Sequence, residues 1–336
     1  MRVLNIHGAG DLRLDAADAP VAGPADIVVA VKACGICGTD LGFLKYGGAR
    51  PGAGITPIGH EFAGRVVAVG DAVSGIGIGQ RVVVNPMETP GPLGNGGREG
   101  AFADAVLVRE ARAGVNIFPI PDDLPWDVAA LTEPLAVSLH GVNRAETKPG
   151  DRVVVLGCGM IGLGTILWLA DRGVTDIVAV DLADERLARA TAMGATATIN
   201  PGREDLAARL GALHGTDKVY SRSTVGSDIF IDAAGSKALL AGIVAMAKRH
   251  ARLLILAAYH EPVPIDLAQL LSAELTLTAA LAYPTEMPEV IAALPRLSDK
   301  AATLISHRFA LDDALAAFGV AALPQSAKVL IELADA

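Results

Sequence analysis

Gly157-Cys158-Gly159-Met160-Ile161-Gly162 stands between a β-branched run, Arg152 to Leu156, and an apolar stretch, Leu163 to Arg172. A GxGxxG spacing alone says little in a chain with 37 glycines, but a strand before it and a helix after it fix its meaning. The first glycines let the backbone turn tightly and approach a pyrophosphate, and the last lets helix and strand pack closely. The helix start then offers free N–H groups and the positive end of its dipole to the phosphates. A second run, Asp176 to Val180, ends in Asp181, about 20 residues on, where a carboxylate accepts hydrogen bonds from an adenosine ribose. No arginine follows at once to meet a 2′-phosphate, Arg186 being the nearest. Gly157, Gly159, Met160, Ile161, Gly162, Asp181 and Arg186 are therefore the expected cofactor-binding residues, with NAD favoured over NADP.

Such a turn belongs to a doubly wound parallel sheet, and the surrounding sequence agrees. Strands are expected near 152, 177, 197, 229, 253 and 275, separated by helical stretches such as Asp184 to Met193 and Lys237 to Lys248. The preceding residues differ in kind, giving short β-branched runs divided by Gly and Pro: Ile27 to Lys32, Ala63 to Val69 and Arg81 to Val84. The expected division is a β-rich domain over 1–139, a dinucleotide-binding domain over 140–283 and a tail over 284–336. The tail carries a helix at Asp312 to Phe318 and a last strand at Val329.

The β-rich part carries a second kind of chemistry. Cys37 with Thr39 and Asp40, and then His60 with Glu61, place a thiol, an imidazole and carboxylates on one stretch, a donor set that suits zinc with one position open. Downstream, Glu133 interrupts the apolar run Leu131 to Leu135; Pro134 disfavours helix at Glu133 and predicts a break there that aims the carboxylate. With Cys34, Cys37 and Cys158 as the only cysteines, a four-cysteine structural zinc site cannot be built. Cys34 and Cys158 read as small buried residues.

Composition narrows the class further. A net charge of −9 argues against nucleic acid or an anionic membrane as partner, and no apolar run approaches a membrane span. Few cysteines, one of them wanted as a thiolate, fit a reducing, cytoplasmic compartment.

On the glycine turn, Asp181, Cys37, His60-Glu61 and Glu133-Pro134-Leu135 together, the chain resembles the zinc-dependent medium-chain alcohol dehydrogenases over essentially its whole length. Glu133-Pro134-Leu135 and the segment Glu274 to Tyr283 look most like the butanediol, sorbitol and threonine dehydrogenase branch. The resemblance implies an α/β architecture, a GroES-like catalytic domain plus a Rossmann domain, with the tail returning to the first. It implies hydride transfer between NAD and a secondary alcohol, diol or polyol, at a single catalytic zinc in an interdomain cleft. Cys37, His60, Glu61 and Glu133 then become the metal ligands or near neighbours, and Cys37, Thr39, His60 and Glu133 the catalytic set. Asp40 would orient His60. Glu133 is expected to approach the metal directly or through water, with Glu61 as a ligand or just behind the ligands; which of the two is the direct third ligand is left open. The edge strand near Leu275 to Leu281 would extend the sheet into a homodimer, with a homotetramer also possible.

Two departures stand out. The family's proton relay often ends at a histidine five residues after the zinc cysteine, where this chain has Gly42; His7 and His140 read as structural. The structural-zinc lobe of many relatives is cut to the Gly- and Pro-rich segment from Met87 to Glu99. Phe43, Tyr46, Phe102 and Tyr283 are the candidates for the substrate pocket. A zinc-free quinone or enoyl reductase of the same fold, or a non-catalytic dinucleotide-binding protein, would leave Cys37, His60 and Glu133 without a purpose.

Overall fold

The computed structural model of the protein describes residues 1–50, 52 and 54–334. The chain divides into two compact units, Met1–Glu133 with Met287–Ala336, and Pro134–Glu286.

The first unit is built from β1 (Arg2–Gly8), β2 (Asp11–Ala16), β3 (Ile27–Gly35), α1 (Gly38–Tyr46), β4 (Thr56–Pro57), β5 (Glu61–Val69), β6 (Arg81–Val84), β7 (Ala105–Val108), β8 (Ile117–Pro119) and α2 (Trp126–Ala129). Helix α3 (Thr132–Arg144) opens in this unit and continues in the next.

The second unit alternates strand and helix: β9 (Arg152–Leu156), α4 (Met160–Asp171), β10 (Asp176–Val180), α5 (Asp184–Met193), β11 (Ala197–Ile199) and α6 (Leu206–His214). A hairpin of β12 (Thr216–Val219) and β13 (Arg222–Val225) interrupts the alternation. It resumes with β14 (Ile229–Asp232), α7 (Lys237–Met246), β15 (Arg252–Ile255), α8 (Leu267–Ala273) and β16 (Thr276–Ala279). The chain then re-enters the first unit through α9 (Met287–Ala302), β17 (Ile305–Ala310), α10 (Ala314–Ala321) and β18 (Lys328–Glu332).

Among the described residues the first unit's main sheet runs β17-β18-β3-β5-β6-β8, with β7 also on β3. Two antiparallel registers matter for the site: Leu330 lies opposite Gly35, and Gly35 lies opposite Glu61. The returning tail is thus laid beside β3, one strand from Glu61. Leu4, Val29, Phe62, Phe102 and Ile331 are buried in one core cluster. Burying each such side chain contributes roughly 1.5–3 kcal/mol.

The second unit's six-stranded sheet has the order β11-β10-β9-β14-β15-β16, its pairs all parallel. Strand order reverses between β9 and β14, so the crevice at their carboxyl ends is where a ligand binds in such a sheet. Val153, Val154 and Val155 are wholly buried, as expected of a strand covered on both faces.

Three expectations need correction. The break between helices falls at Ala130–Leu131, not at Glu133, and Pro134 is absorbed into the first turn of α3, where a missing N–H costs nothing. Phe102 is wholly buried, edge-on to Phe318 in the core, so it cannot line a substrate pocket. The tail helix begins as a 3-10 turn, Leu311–Asp313, and becomes α-helical from Ala314 to Ala321.

Candidate active site

Cys37 is the N-cap of α1. Its Sγ accepts the Thr39 N–H at 3.5 Å, while Asp40 reaches back to the Cys37 N–H at 2.9 Å. This reciprocal box fixes where the helix starts and therefore where the thiol points. The other Asp40 oxygen accepts the Gly59 N–H at 3.3 Å, tying α1 to the residue before His60.

Glu61 opens β5 and His60 immediately precedes it, and the ligand atoms of Cys37, His60 and Glu61 converge within 4.8 Å of one another. His60 is 3% exposed and Glu61 1%, whereas Cys37 and Thr39 are half-buried, so the site opens outward on their side. His60 Nδ1 lies 3.4 Å from the Gly94 carbonyl and 3.7 Å from Asp40 Oδ1. The imidazole's hydrogen bond therefore goes to Gly94, in the segment from Met87 to Glu99, and Asp40 contributes charge. Bonding through Nδ1 leaves Nε2 to coordinate.

Glu61 has a partner that the sequence did not disclose. Lys328 Nζ, at the start of β18, makes an ion pair with Glu61 Oε2 and donates to the Ile36 carbonyl at 2.9 Å. Room for the pair depends on Gly35: a Cβ there would sit 2.2 Å from Glu61 Oε2. Burial opposes charge on Lys328, but Glu61, Cys37 and Glu133 outweigh it and raise its pKa. His60 behaves alike. Burial lowers its pKa, while Asp40, Cys37 and Glu133 overcome that and hold it well above the ordinary imidazole value. Glu133 thus faces the same centre electrostatically, although it stands outside the three converging ligands. Cys34, wholly buried, has its thiol pushed up by desolvation and is inert packing.

A half-buried thiol beside a buried imidazole and carboxylate, with further carboxylates at hand, is the donor set of a catalytic zinc site with three protein ligands, and these residues fit that ion. Of the other histidines, His7 pairs with Asp15 and His140 with Glu286, both at 2.8 Å, as structural residues would.

The dinucleotide turn has the geometry its sequence requires. Gly157 has φ +87, and a Cβ on Gly162 would lie 1.8 Å from the Gly157 carbonyl oxygen. Gly159 caps α4 with no side-chain acceptor, leaving the first N–H groups of the helix to an anion. Met160 and Ile161 form its first turn. Asp181, at the end of β10, accepts the Cys158 N–H at 2.7 Å and the Ala183 N–H at 2.9 Å, which fixes the carboxylate beside the glycine turn. Arg186 lies 3.9 Å from it.

The family model of the alcohol dehydrogenase GroES-like domain matches residues 23–122, and that of zinc-binding dehydrogenases matches residues 161–296. The (R,R)-butanediol dehydrogenase of Bacillus subtilis is 30% identical, with 93% of each chain covered. This chain belongs to the zinc-dependent medium-chain dehydrogenase family. The solved B. subtilis 2R,3R-butanediol dehydrogenase superposes on this dehydrogenase with a TM-score of 0.86 at 28% identity, covering 99% of each chain. Sorbitol dehydrogenase of Mus musculus is 27% identical over 98% of this chain and 95% of its own. A Sinorhizobium meliloti protein described as a zinc-binding dehydrogenase, bound to NADP, gives a TM-score of 0.85 at 29% identity over 99% of both chains. Zinc and a nicotinamide dinucleotide are the cofactors to which the family's site is adapted. No helix of the described residues is long and apolar enough to cross a membrane.

Proposed function

We propose that this dehydrogenase interconverts a secondary alcohol, diol or polyol and the corresponding ketone, with NAD as hydride acceptor and one zinc ion per subunit. The observation that carries the reading is the convergence of Cys37, His60 and Glu61 beside Thr39 in a chain that also bears the dinucleotide turn. Cys37, His60 and Glu61 would hold the metal, with Glu133 adding negative charge or a water-mediated contact. Zinc, when bound, supplies Lewis acidity that stabilises the charge developing on a substrate oxygen.

The remaining work belongs to the protein. The Thr39 hydroxyl, two residues from the thiol, accepts the proton leaving the alcohol and passes it outward. With glycine at position 42 no imidazole receives it next, and the proton leaves through water. Asp181 holds the adenosine ribose and the first amides of α4 hold the pyrophosphate, while the ion pair with Lys328 orients the Glu61 carboxylate. The exposed edge of β16 extends the sheet into a homodimer, alone or within a tetramer. Three free thiols fit a reducing cytoplasm.

Elemental analysis combined with a panel of diols, polyols, hydroxy acids and cyclic alcohols tests the reading. One zinc per subunit and NAD-linked oxidation of diols or polyols are expected. A zinc-free protein that reduces quinones or enones with NADPH would overturn it.

A further inference from the structure

Asp232 ends β14, the strand beyond the switch point, and is 1% exposed. One of its carboxylate oxygens accepts the Ala234 and Gly235 N–H groups at 2.9 and 3.0 Å, shaping the turn that faces the glycine loop. The other accepts the Tyr259 hydroxyl at 2.5 Å. Tyr259 lies in the segment after β15, with its ring packed on the second unit's core and Ala258 and His260 exposed on either side. The two segments also meet through their backbones: the Leu256 and Ala257 N–H groups both donate to the Asp232 carbonyl at 2.9 Å. A Cβ added to Gly235 would lie 3.3 Å from Ala257 Cβ and from the Ala258 carbonyl oxygen.

Strand order tells which part of the cofactor these segments meet. Asp181 fixes the adenosine end over β10, and the glycine turn after β9 takes the pyrophosphate, so the nicotinamide half continues across the carboxyl ends of β14 and β15. We infer that Tyr259, acting through Asp232, is a positioning residue that holds the Ala257–Ala258 backbone against the nicotinamide half of the dinucleotide. A second side-chain tie on this segment, Lys237 to Glu261, is largely exposed and screened by solvent, so among the side chains the part-buried phenol–carboxylate bond does the fastening, beside the two backbone bonds to Asp232. The inference rests on the dinucleotide reading above.

Tyr259→Phe deletes the bond and keeps the ring's packing. Titration of NADH fluorescence, with ADP-ribose as competitor, reads the two halves of the cofactor separately. The Kd for NADH should rise about tenfold, or ~1.4 kcal/mol, while that for ADP-ribose shifts by less than about twofold. An unshifted NADH Kd in Tyr259→Phe, or equal weakening of both ligands, overturns the assignment. Wild-type protein that fails to bind NADH overturns the dinucleotide reading itself, and this inference with it.

Discussion

Lys328 and Glu61, 267 residues apart in sequence, form an ion pair inside the first unit with the lysine 2% and the glutamate 1% exposed. Two opposite charges that deep are stable together and costly apart. Lys328→Met leaves a buried carboxylate among Cys37, Asp40 and Glu133, and should destabilise the metal-free protein by about 3–5 kcal/mol. Zinc should narrow the deficit, because it returns positive charge to the same cluster. The double variant Lys328→Met/Glu61→Gln should recover much of the loss. Chemical denaturation with and without zinc measures all three, and a loss below about 1 kcal/mol in metal-free Lys328→Met would show the pair to be dispensable.

Cys37→Ser tests the metal and the cofactor separately, because the thiol and the glycine turn lie in different units. The hydroxyl can still accept the Thr39 N–H, so α1 keeps its cap, but it is a poor zinc ligand. Bound zinc should fall to a small fraction of one per subunit and alcohol oxidation by at least ~100-fold, with NADH affinity unchanged. Retained turnover at full rate without zinc would refute the metal's role.

If Asp181 accepts from the ribose 2′-hydroxyl as proposed, Asp181→Ser removes that acceptor and frees Arg186, 3.9 Å away, to meet a 2′-phosphate. The ratio of kcat/KM for NAD over NADP should drop by about tenfold or more. An unchanged ratio in steady-state assays would remove Asp181 from the cofactor site.

What could be read from the sequence was what is local. The glycine turn and its flanking strand and helix lie within a few residues of one another, and α5 spans Asp184 to Met193 as expected. Thr216–Val219 and Arg222–Val225 escaped notice because they are short and mostly polar, joined by Tyr220 at φ +55 with no glycine to mark the turn. The site shows the same division. Cys37, His60 and Glu61 are legible as donors, whereas Lys328 and the Gly94 carbonyl act only through tertiary contact. Lys328 reaches Glu61 because β18 docks beside β3, and nothing near Lys328 in sequence announces that. Phe102 shows the converse: an aromatic beside a loop carries no sign in the sequence of which way it faces, and this one faces the core.

Gly42 sits within α1, and a Cβ there would meet nothing within 4 Å. Glycine inside a helix costs roughly 0.5–1 kcal/mol relative to alanine, so Gly42→Ala should stabilise the protein by about that amount. Thermal melts check it. If the proton leaves through water as proposed and that step limits the rate, Gly42→His should speed alcohol oxidation below pH 8. A pH–rate profile that overlays wild type would show that proton exit does not limit turnover.

Asp228, in the second unit, supplies a stability switch at low pH. Burial works against its charge, but Lys248, the Arg152 N–H and the Arg152 guanidinium outweigh that and hold its pKa at about 2, below the ordinary 3.8. A carboxylate with its folded pKa depressed adds stability that is fully present above the unfolded value and is lost as pH falls toward the folded one. The window is therefore about pH 4 down to pH 2, and by pH 3 about 1 kcal/mol should be gone. Asp228→Asn removes the titration, so its unfolding free energy should start lower at pH 6 and change less between pH 6 and pH 3 than that of wild type. Urea denaturation at several pH values measures both slopes, and parallel curves would mean that Lys248 and Arg152 do not hold the carboxylate in solution.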